Sequence, residues 1–170
     1  MLFAVAAEAQ RTPTKRPTTR TPPRTTPRTT TATLPPLDVR AARVKVSNQY
    51  HNISAFVSRL GPIAQNIEAI DNEARTKKLR QESITNNETA KQKVIAAIRG
   101  LREGLVSLET EFRTKPSLKQ YLSSIQGITT LAGQSEDSAI AGRFVAANST
   151  LRSIQQKLSD TLALMPNAEL

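Results

Sequence analysis

The residues with the clearest chemical signal in this sequence are basic. The chain has 24 Lys and Arg residues against 14 Asp and Glu residues, which gives a formal net charge of +10. Side chains of this sign attract phosphates, carboxylates and anionic surfaces. Two segments concentrate them, and we predict that both bind an anionic partner. The candidate binding residues are Arg11, Lys15, Arg16, Arg20, Arg24, Arg28, Arg75, Lys77, Lys78, Arg80, Lys91 and Lys93.

The sequence gives little support to catalytic or metal chemistry. It contains no Cys and a single His, His51, which excludes thiolate zinc sites, thiol nucleophiles and centres that need several imidazoles from one chain. It also has no glycine-rich phosphate loop and no Gly-x-Ser-x-Gly turn. We therefore predict that the protein is not an enzyme and uses no metal or cofactor, and that His51 is structural or faces solvent.

Residues 10–37 form a linker of unusual composition. They include seven Pro, many Thr and no acidic residue. Such a segment buries too little apolar surface to offset the entropy of ordering, so we predict that it is disordered and extended. Six of the candidate cations lie on this linker.

Residues 1–9 resemble the end of a secretory signal peptide. Residues 2–7 are apolar, and Ala7-Glu8-Ala9 fits the small-x-small pattern that precedes cleavage. A basic leader and about half of an ordinary apolar region are missing, so we interpret these residues as a truncated signal-peptide remnant. The interpretation predicts export to the periplasm or the extracellular space, with a mature N-terminus at Gln10. The alternative is an apolar stub with no targeting role.

From residue 38 onward, apolar residues recur every three or four positions, which predicts helices. The first helix is expected to begin at the N-cap Asp38, with Gly61-Pro62 as a kink or a very short link. The second is expected to begin at the capping box Thr85-Asn86-Asn87-Glu88 and to end at Lys115-Pro116.

Further helical stripes follow to the C-terminus. The next predicted helix begins near Leu118 and stops at Gly133. The last contains Ile140 in its apolar stripe, follows caps within residues 135–138, and is closed by Pro166.

We find no strand-type alternation of comparable length, so residues 38–166 are predicted to be all-α. The expected architecture is an antiparallel bundle of four or five helices with coiled-coil-like packing, preceded by the disordered Thr/Pro/Arg-rich linker and followed by a short tail, residues 167–170. No stretch after the first residues approaches the roughly 20 apolar residues of a membrane span.

Two rows of small residues suggest close helix contacts, because glycine inside a helix costs about 1 kcal/mol relative to alanine. We predict that the two rows face each other. Their members are Ala97, Gly100, Gly104 and Ser107 in one, and Ala139, Gly142, Ala146, Ser149 and Ser153 in the other.

A polar interval, residues 75–93, separates the first two long stripes. We expect it to be a hairpin tip or a helical stalk beyond the core, with a merely solvated bundle end as the alternative. Three Asn-x-Ser/Thr sequons, at Asn52, Asn87 and Asn148, could carry glycans in a eukaryotic secreted protein.

Two classes of function fit these features. The first is an exported structural or interaction module at the cell envelope, whose basic segments hold an anionic polymer or a membrane surface while the bundle meets an unknown protein partner or a second copy. The second is an intracellular protein that binds nucleic acid without reading sequence. Aromatic residues are absent from both basic segments, so bases would have no stacking platform, and the first class is favoured.

Overall fold

The computed structural model describes residues 35–77 and 79–167, and all elements and contacts given below belong to these residues. They form five α-helices and one 3-10 helix, with no strand in the described ranges. The predicted all-α fold is therefore confirmed. The elements are α1 (Leu37–Thr76), α2 (Gln81–Thr114), a 3-10 helix (Pro116–Tyr121), α3 (Leu122–Ile125), α4 (Ile128–Ile140) and α5 (Phe144–Leu164). The predicted leader, and the linker up to residue 34, lie outside the described residues.

Four of the helices pack as an antiparallel bundle. α1 packs on α2 and α5, and α4 packs on the same two helices. α1 and α5 run in opposite directions, because Arg43 near the start of α1 contacts Met165 at the end of α5, whereas Glu68 contacts Val145 at its start. Short connections make α1–α2 and α4–α5 antiparallel as well.

The core follows the apolar stripes that define the helices. Its largest fully buried side chains come from every helix and from the 3-10 helix, which makes it one continuous core. They are Phe112, Phe144, Ile53, Leu60, Ile67, Ile98, Leu105, Leu118, Ile125, Ile128, Leu151 and Ile154. Ile140 is an exception to the predicted stripe: it is 59% exposed at the last position of α4.

Of the two alternatives predicted at Gly61-Pro62, a kink or a very short link, the link is not formed, because α1 is one helix of 40 residues with Pro62 inside it. Proline removes one backbone hydrogen bond, but Leu60 and Ala64 on either side are buried in the core, and this packing stabilises the continuous helix. The N-cap position is Pro36 rather than Asp38, and Asp38 instead pairs with Lys115 at 3.0 Å.

The predicted capping box at Thr85 is also wrong. α2 begins four residues earlier, at Gln81, with the Ser83 and Ile84 amides bonded to the Arg80 carbonyl. Thr85 lies inside the helix and donates to the Gln81 carbonyl at 3.0 Å. The end of α2 before Pro116 agrees with the prediction.

Glycine ends the later helices, but at positions other than Gly133. Gly127 and Gly142 adopt φ values of 88° and 75°, a left-handed conformation that other residues rarely adopt, and they separate α3 from α4 and α4 from α5. α4 continues through Gly133 and the predicted caps at residues 135–138. α5 ends at Leu164, before Pro166, as predicted.

The two rows of small residues do not face each other, and this prediction is wrong. α2 and α5 lie diagonally across the bundle, each packed on α1 and α4. Gly104 instead lies against Gln49 of α1, while a Cβ on Gly100 would meet nothing within 4 Å. Gly142 belongs to a turn rather than to a helix.

Candidate anion-binding surface

The hairpin of α1 and α2 extends beyond the other two helices. The Val145 N–H in the first turn of α5 donates to Glu68 Oε1 at 2.8 Å, which places the α4–α5 turn level with Glu68. α1 continues for eight more residues to Thr76, a length of about 12 Å at 1.5 Å per residue. Residues 75–77 and 79–86 thus lie on a protruding stalk, whereas the rest of the predicted polar interval, to Lys93, lies level with the bundle.

A polar cluster closes the core at the base of this stalk. Ile67 and Val94 are the last buried apolar residues of α1 and α2 in that direction. Beyond them, Asp71 accepts hydrogen bonds from the amide of Asn87 at 2.7 Å and from the ammonium of Lys91 at 2.6 Å. Burial opposes the charge on Lys91, but Asp71 and a second carboxylate, Glu88 at 2.7 Å, raise the pKa of Lys91 above its ordinary value. Lys91 therefore stabilises the stalk, because the carboxylates of Asp71 and Glu88 both compensate its charge.

Three of the predicted binding residues come together at the tip of the stalk. Arg75 and Lys77 end α1 and Arg80 precedes α2, and all three side chains are exposed. Lys77 has one partner, Glu73 of its own helix, at 3.1 Å. Arg75 and Arg80 have no carboxylate within 4.0 Å in the part of the chain that the structure describes. We define the tip surface as Arg75, Lys77 and Arg80.

The remaining candidates are not part of this surface. Lys93 is exposed, but it lies 12 residues along α2 from Gln81, or about 18 Å from the tip. Lys78 and the six cations of the linker, from Arg11 to Arg28, lie outside the described residues.

Two buried carboxylates carry charge that the sequence analysis did not single out. Glu136 is 5% exposed, and it bonds Arg99 at 2.9 Å and Arg102 at 2.8 Å. These two guanidinium groups, Arg102 first, lower the pKa of the Glu136 carboxyl. These two ion pairs join α2 to α4. Glu136 lies 34 residues from Arg102 and 37 from Arg99 in sequence, so no local sequence pattern predicts the contacts.

The second buried carboxylate, Glu109, is 3% exposed. Burial by itself opposes its ionisation, but hydrogen bonds from Arg113 and from the Thr129 and Gly127 amides outweigh this effect and lower the pKa of Glu109 to about 2. Glu109 and Glu136 are saturated with donors, so each acts as a structural anion.

The other polar candidates lie apart from these groups. His51 is exposed, and its Nδ1 lies 2.7 Å from the Ser47 carbonyl. No group of three or more His, Cys, Asp or Glu side chains that could hold a metal ion occurs within residues 35–77 and 79–167. Of the three sequon asparagines, Asn87 and Asn148 are buried at 5% and 6% exposure and only Asn52 is exposed, so the folded bundle has room for a glycan at Asn52 alone.

None of the helices in the described ranges is both long enough and apolar enough to cross a lipid bilayer. Comparison of the chain with family models, with curated proteins and with solved structures gives no match.

Proposed function

We propose that this chain is a non-catalytic helical-bundle protein that is exported and works as a structural or interaction module at the cell envelope. Its basic segments hold an anionic polymer or surface, and the bundle meets a protein partner. The observation that supports this proposal best is the tip surface, which places Arg75, Lys77 and Arg80 at the far end of a protruding hairpin.

The geometry of the stalk favours contact with an extended anionic surface. The hairpin carries the three cations about 12 Å past the α4–α5 turn, so a flat surface can approach them without meeting the rest of the bundle. Of the acids near the tip surface, Asp71 and Glu88 are held by Lys91 and Glu73 is paired with Lys77, so Glu82 in the first turn of α2 is the one without a basic partner among the described residues. A basic residue close to an anionic membrane contributes about 1 kcal/mol of binding free energy.

Co-sedimentation of the full chain with lipid vesicles tests the anion-binding part of the proposal. Binding is expected with vesicles that contain an anionic phospholipid and not with purely zwitterionic vesicles. Replacement of Arg75, Lys77 and Arg80 together by Gln is expected to weaken binding more than about tenfold. The matched control replaces Arg59, Lys119 and Lys157 by Gln, which removes the same charge elsewhere on the bundle. Equal loss in both variants, or no binding by the parent chain, contradicts the proposal.

Export is tested separately by the mass of the mature protein from its native source. The apolar residues 2–7 and the Ala7-Glu8-Ala9 pattern support cleavage before Gln10. A mature N-terminus at Gln10 is expected, and retention of Met1 contradicts export.

Binding to nucleic acid is the second candidate function, supported by the net charge of +10. It predicts an affinity for duplex DNA that falls steeply with salt, by close to one logarithmic unit per unit of log salt for each phosphate contacted. A duplex titration at two salt concentrations separates the two functions. Absence of binding at about 50 mM salt removes this candidate.

A further inference from the structure

Two residues that disfavour helices lie side by side in the middle of α1. Gly61 and Pro62 occupy its interior, although both residue types are costly there. Packing does not require the glycine, because a Cβ at position 61 would lie 3.7 Å from the Asn148 amide nitrogen, an ordinary contact distance. Natural sequences keep such local conflicts mainly at functional sites.

The missing side chain of Gly61 leaves a cleft between α1 and α5. Its volume is about 300 Å³, and it is lined by Gly61, Gln65, Val145, Asn148, Ser149 and Arg152. The four residues from α5 are spaced i, i+3, i+4 and i+7, so they share one face of the helix. No acidic side chain lines the cleft itself, but the Glu68 carboxylate lies at its edge, where it accepts from the Val145 N–H at 2.8 Å. Arg152 has no carboxylate within 4.0 Å among the described residues.

A buried amide forms part of the cleft wall. Asn148 is only 6% exposed, yet its Oδ1 accepts no hydrogen bond. A buried acceptor without a donor is costly and uncommon in folded proteins. The enclosed oxygen points away from the cleft, and Nδ2 faces Gly61 across it, so the amide presents a donor to a molecule in the cleft; rotation by 180° would present the acceptor instead.

We propose that this cleft binds the carboxyl end of a peptide. Arg152 pairs with the terminal carboxylate, because the guanidinium offers two parallel N–H donors to such a group. Asn148 Nδ2, the amide atom that faces Gly61 across the cleft, donates to the C=O of the last peptide group. Asn148 and Arg152 lie four residues apart on α5, about 6 Å along its axis. An extended chain advances about 3.5 Å per residue, so the Arg152 side chain can reach the terminal carboxylate while the Asn148 side chain reaches the last peptide group.

This inference deepens the proposed function, on which it rests in one respect: it assumes that the bundle meets a protein partner. The partner would present a free C-terminus, with the side chain of its last residue near the half-exposed Val145.

The test is a titration of the ¹⁵N-labelled full chain, followed by NMR, with the dipeptide acetyl-Ala-Ala carrying a free carboxylate. Saturable shifts are expected for the backbone amides of Gly61 and Ser149 and for the side-chain amide of Asn148. The same dipeptide with a C-terminal amide is expected to bind about tenfold more weakly, as is the free acid to an Arg152→Gln variant. Arg59→Gln, on the exposed part of α1, is the matched control and is expected to leave the affinity unchanged.

A second variant probes the cleft floor without weakening the fold. Gly61→Ala places a methyl group in the cleft and is expected to weaken dipeptide binding, while the thermal midpoint stays the same or rises because alanine favours the helix. Equal binding of acid and amide, normal binding by Gly61→Ala, or the absence of any chemical-shift change would overturn the inference. Vesicle binding by the same variants distinguishes this failure from that of the proposed function, because the tip surface does not include the cleft.

Discussion

The carboxylate of Glu109 on α2 lies over the first turn of α4, where its Oε2 atom accepts a hydrogen bond of 3.0 Å from the N–H of Thr129. Its Oε1 atom accepts from the Gly127 N–H at 3.1 Å and from Arg113 at 2.6 Å. The N-cap residue of α4 is Gly127, which has no side chain to bond the free N–H groups of the first turn. A residue of a different helix therefore caps α4, and the cap joins the two helices.

We predict that Glu109→Gln destabilises the bundle by roughly 3 kcal/mol at neutral pH, because each unit by which the folded state lowers a pKa is worth about 1.4 kcal/mol. The substitution removes the charge and turns an N–H₂ group toward backbone N–H groups that need an acceptor. Urea unfolding of both proteins measures the difference. Glu103→Gln is the control, since Glu103 is exposed on the same helix. Equal effects of the two substitutions would show that the cap contributes nothing.

The contribution of Glu109 also depends on pH. In the folded chain the pKa of Glu109 is lowered to about 2 from an ordinary value of 4.5, so its stabilisation is fully present above pH 4.5. It is lost as the pH falls from 4.5 toward 2, because the unfolded chain takes up the proton first. The gap in stability between the parent and Glu109→Gln is therefore expected to narrow between pH 7 and pH 3. A gap that stays constant over this range would contradict the assignment.

Arg43 caps the C-terminal end of α5 in a similar way, at the same end of the bundle as Glu109. Its Nη1 donates to the carbonyls of Leu162 and Met165, both at 2.6 Å, and so satisfies backbone groups at the C-terminal end of α5. Arg43→Met is expected to cost about 1.5 to 3 kcal/mol, the usual range for hydrogen bonds to a charged group. Arg59→Met is the control, because Arg59 lies exposed on the same helix. Urea unfolding checks the difference, and a similar loss in both variants would assign the effect to helix surface charge.

The spacing of apolar residues predicts the body of this fold well, because burial repeats with the helix period. Ile53, Leu60 and Leu151 are fully buried where their stripes require it. Helix ends are predicted less well, because capping signals are weak beside tertiary contacts. Ser135 was expected to cap a helix, but inside α4 its hydroxyl donates to the Ala147 carbonyl of α5 at 3.0 Å.

The candidate site is also predicted only in part, because tertiary contacts decide which charged residues are already paired. Charge in the sequence correctly marks the residues nearest the tip, Arg75, Lys77 and Arg80, as part of a protruding, polar segment. It also marks Lys91 as a binding residue, which the structure does not favour, because Asp71 and Glu88 already compensate its charge. The contact between Asp71 and Lys91 spans 20 residues and two helices, and the cleft at Asn148 joins α1 to α5. No local pattern in the sequence reports contacts of this kind.

Glycine substitutions are expected to have opposite effects at two positions. A Cβ at Gly100 would meet nothing within 4 Å, so Gly100→Ala is expected to stabilise the bundle by about 0.5 to 1 kcal/mol through the helix preference of alanine. Gly127 has a φ of 88°, so Gly127→Ala is expected to destabilise it by about 1 kcal/mol or more. Urea unfolding of both variants is the measurement. A loss of stability in Gly100→Ala would revive the idea that the small residues of α2 serve close packing.

The stalk is expected to open locally more often than the rest of the same two helices. Beyond Ile67 and Val94 its apolar side chains are at most partly buried, and the cluster of Asp71, Asn87 and Lys91 links its two helices. Hydrogen exchange at residues 70–76 and 82–90 should therefore be at least about tenfold faster than at residues 57–67 and 98–108, which lie in the core region of α1 and α2.

Asp71→Ala is expected to raise exchange in the stalk further and to leave the core region unchanged, because it removes the acceptor that both Asn87 and Lys91 use. Glu73→Ala removes an acid of the same helix whose partner, Lys77, is exposed, and it is expected to have little effect. Uniform protection along α1 and α2 in the parent chain would show that the hairpin is stable without the bundle core beneath it.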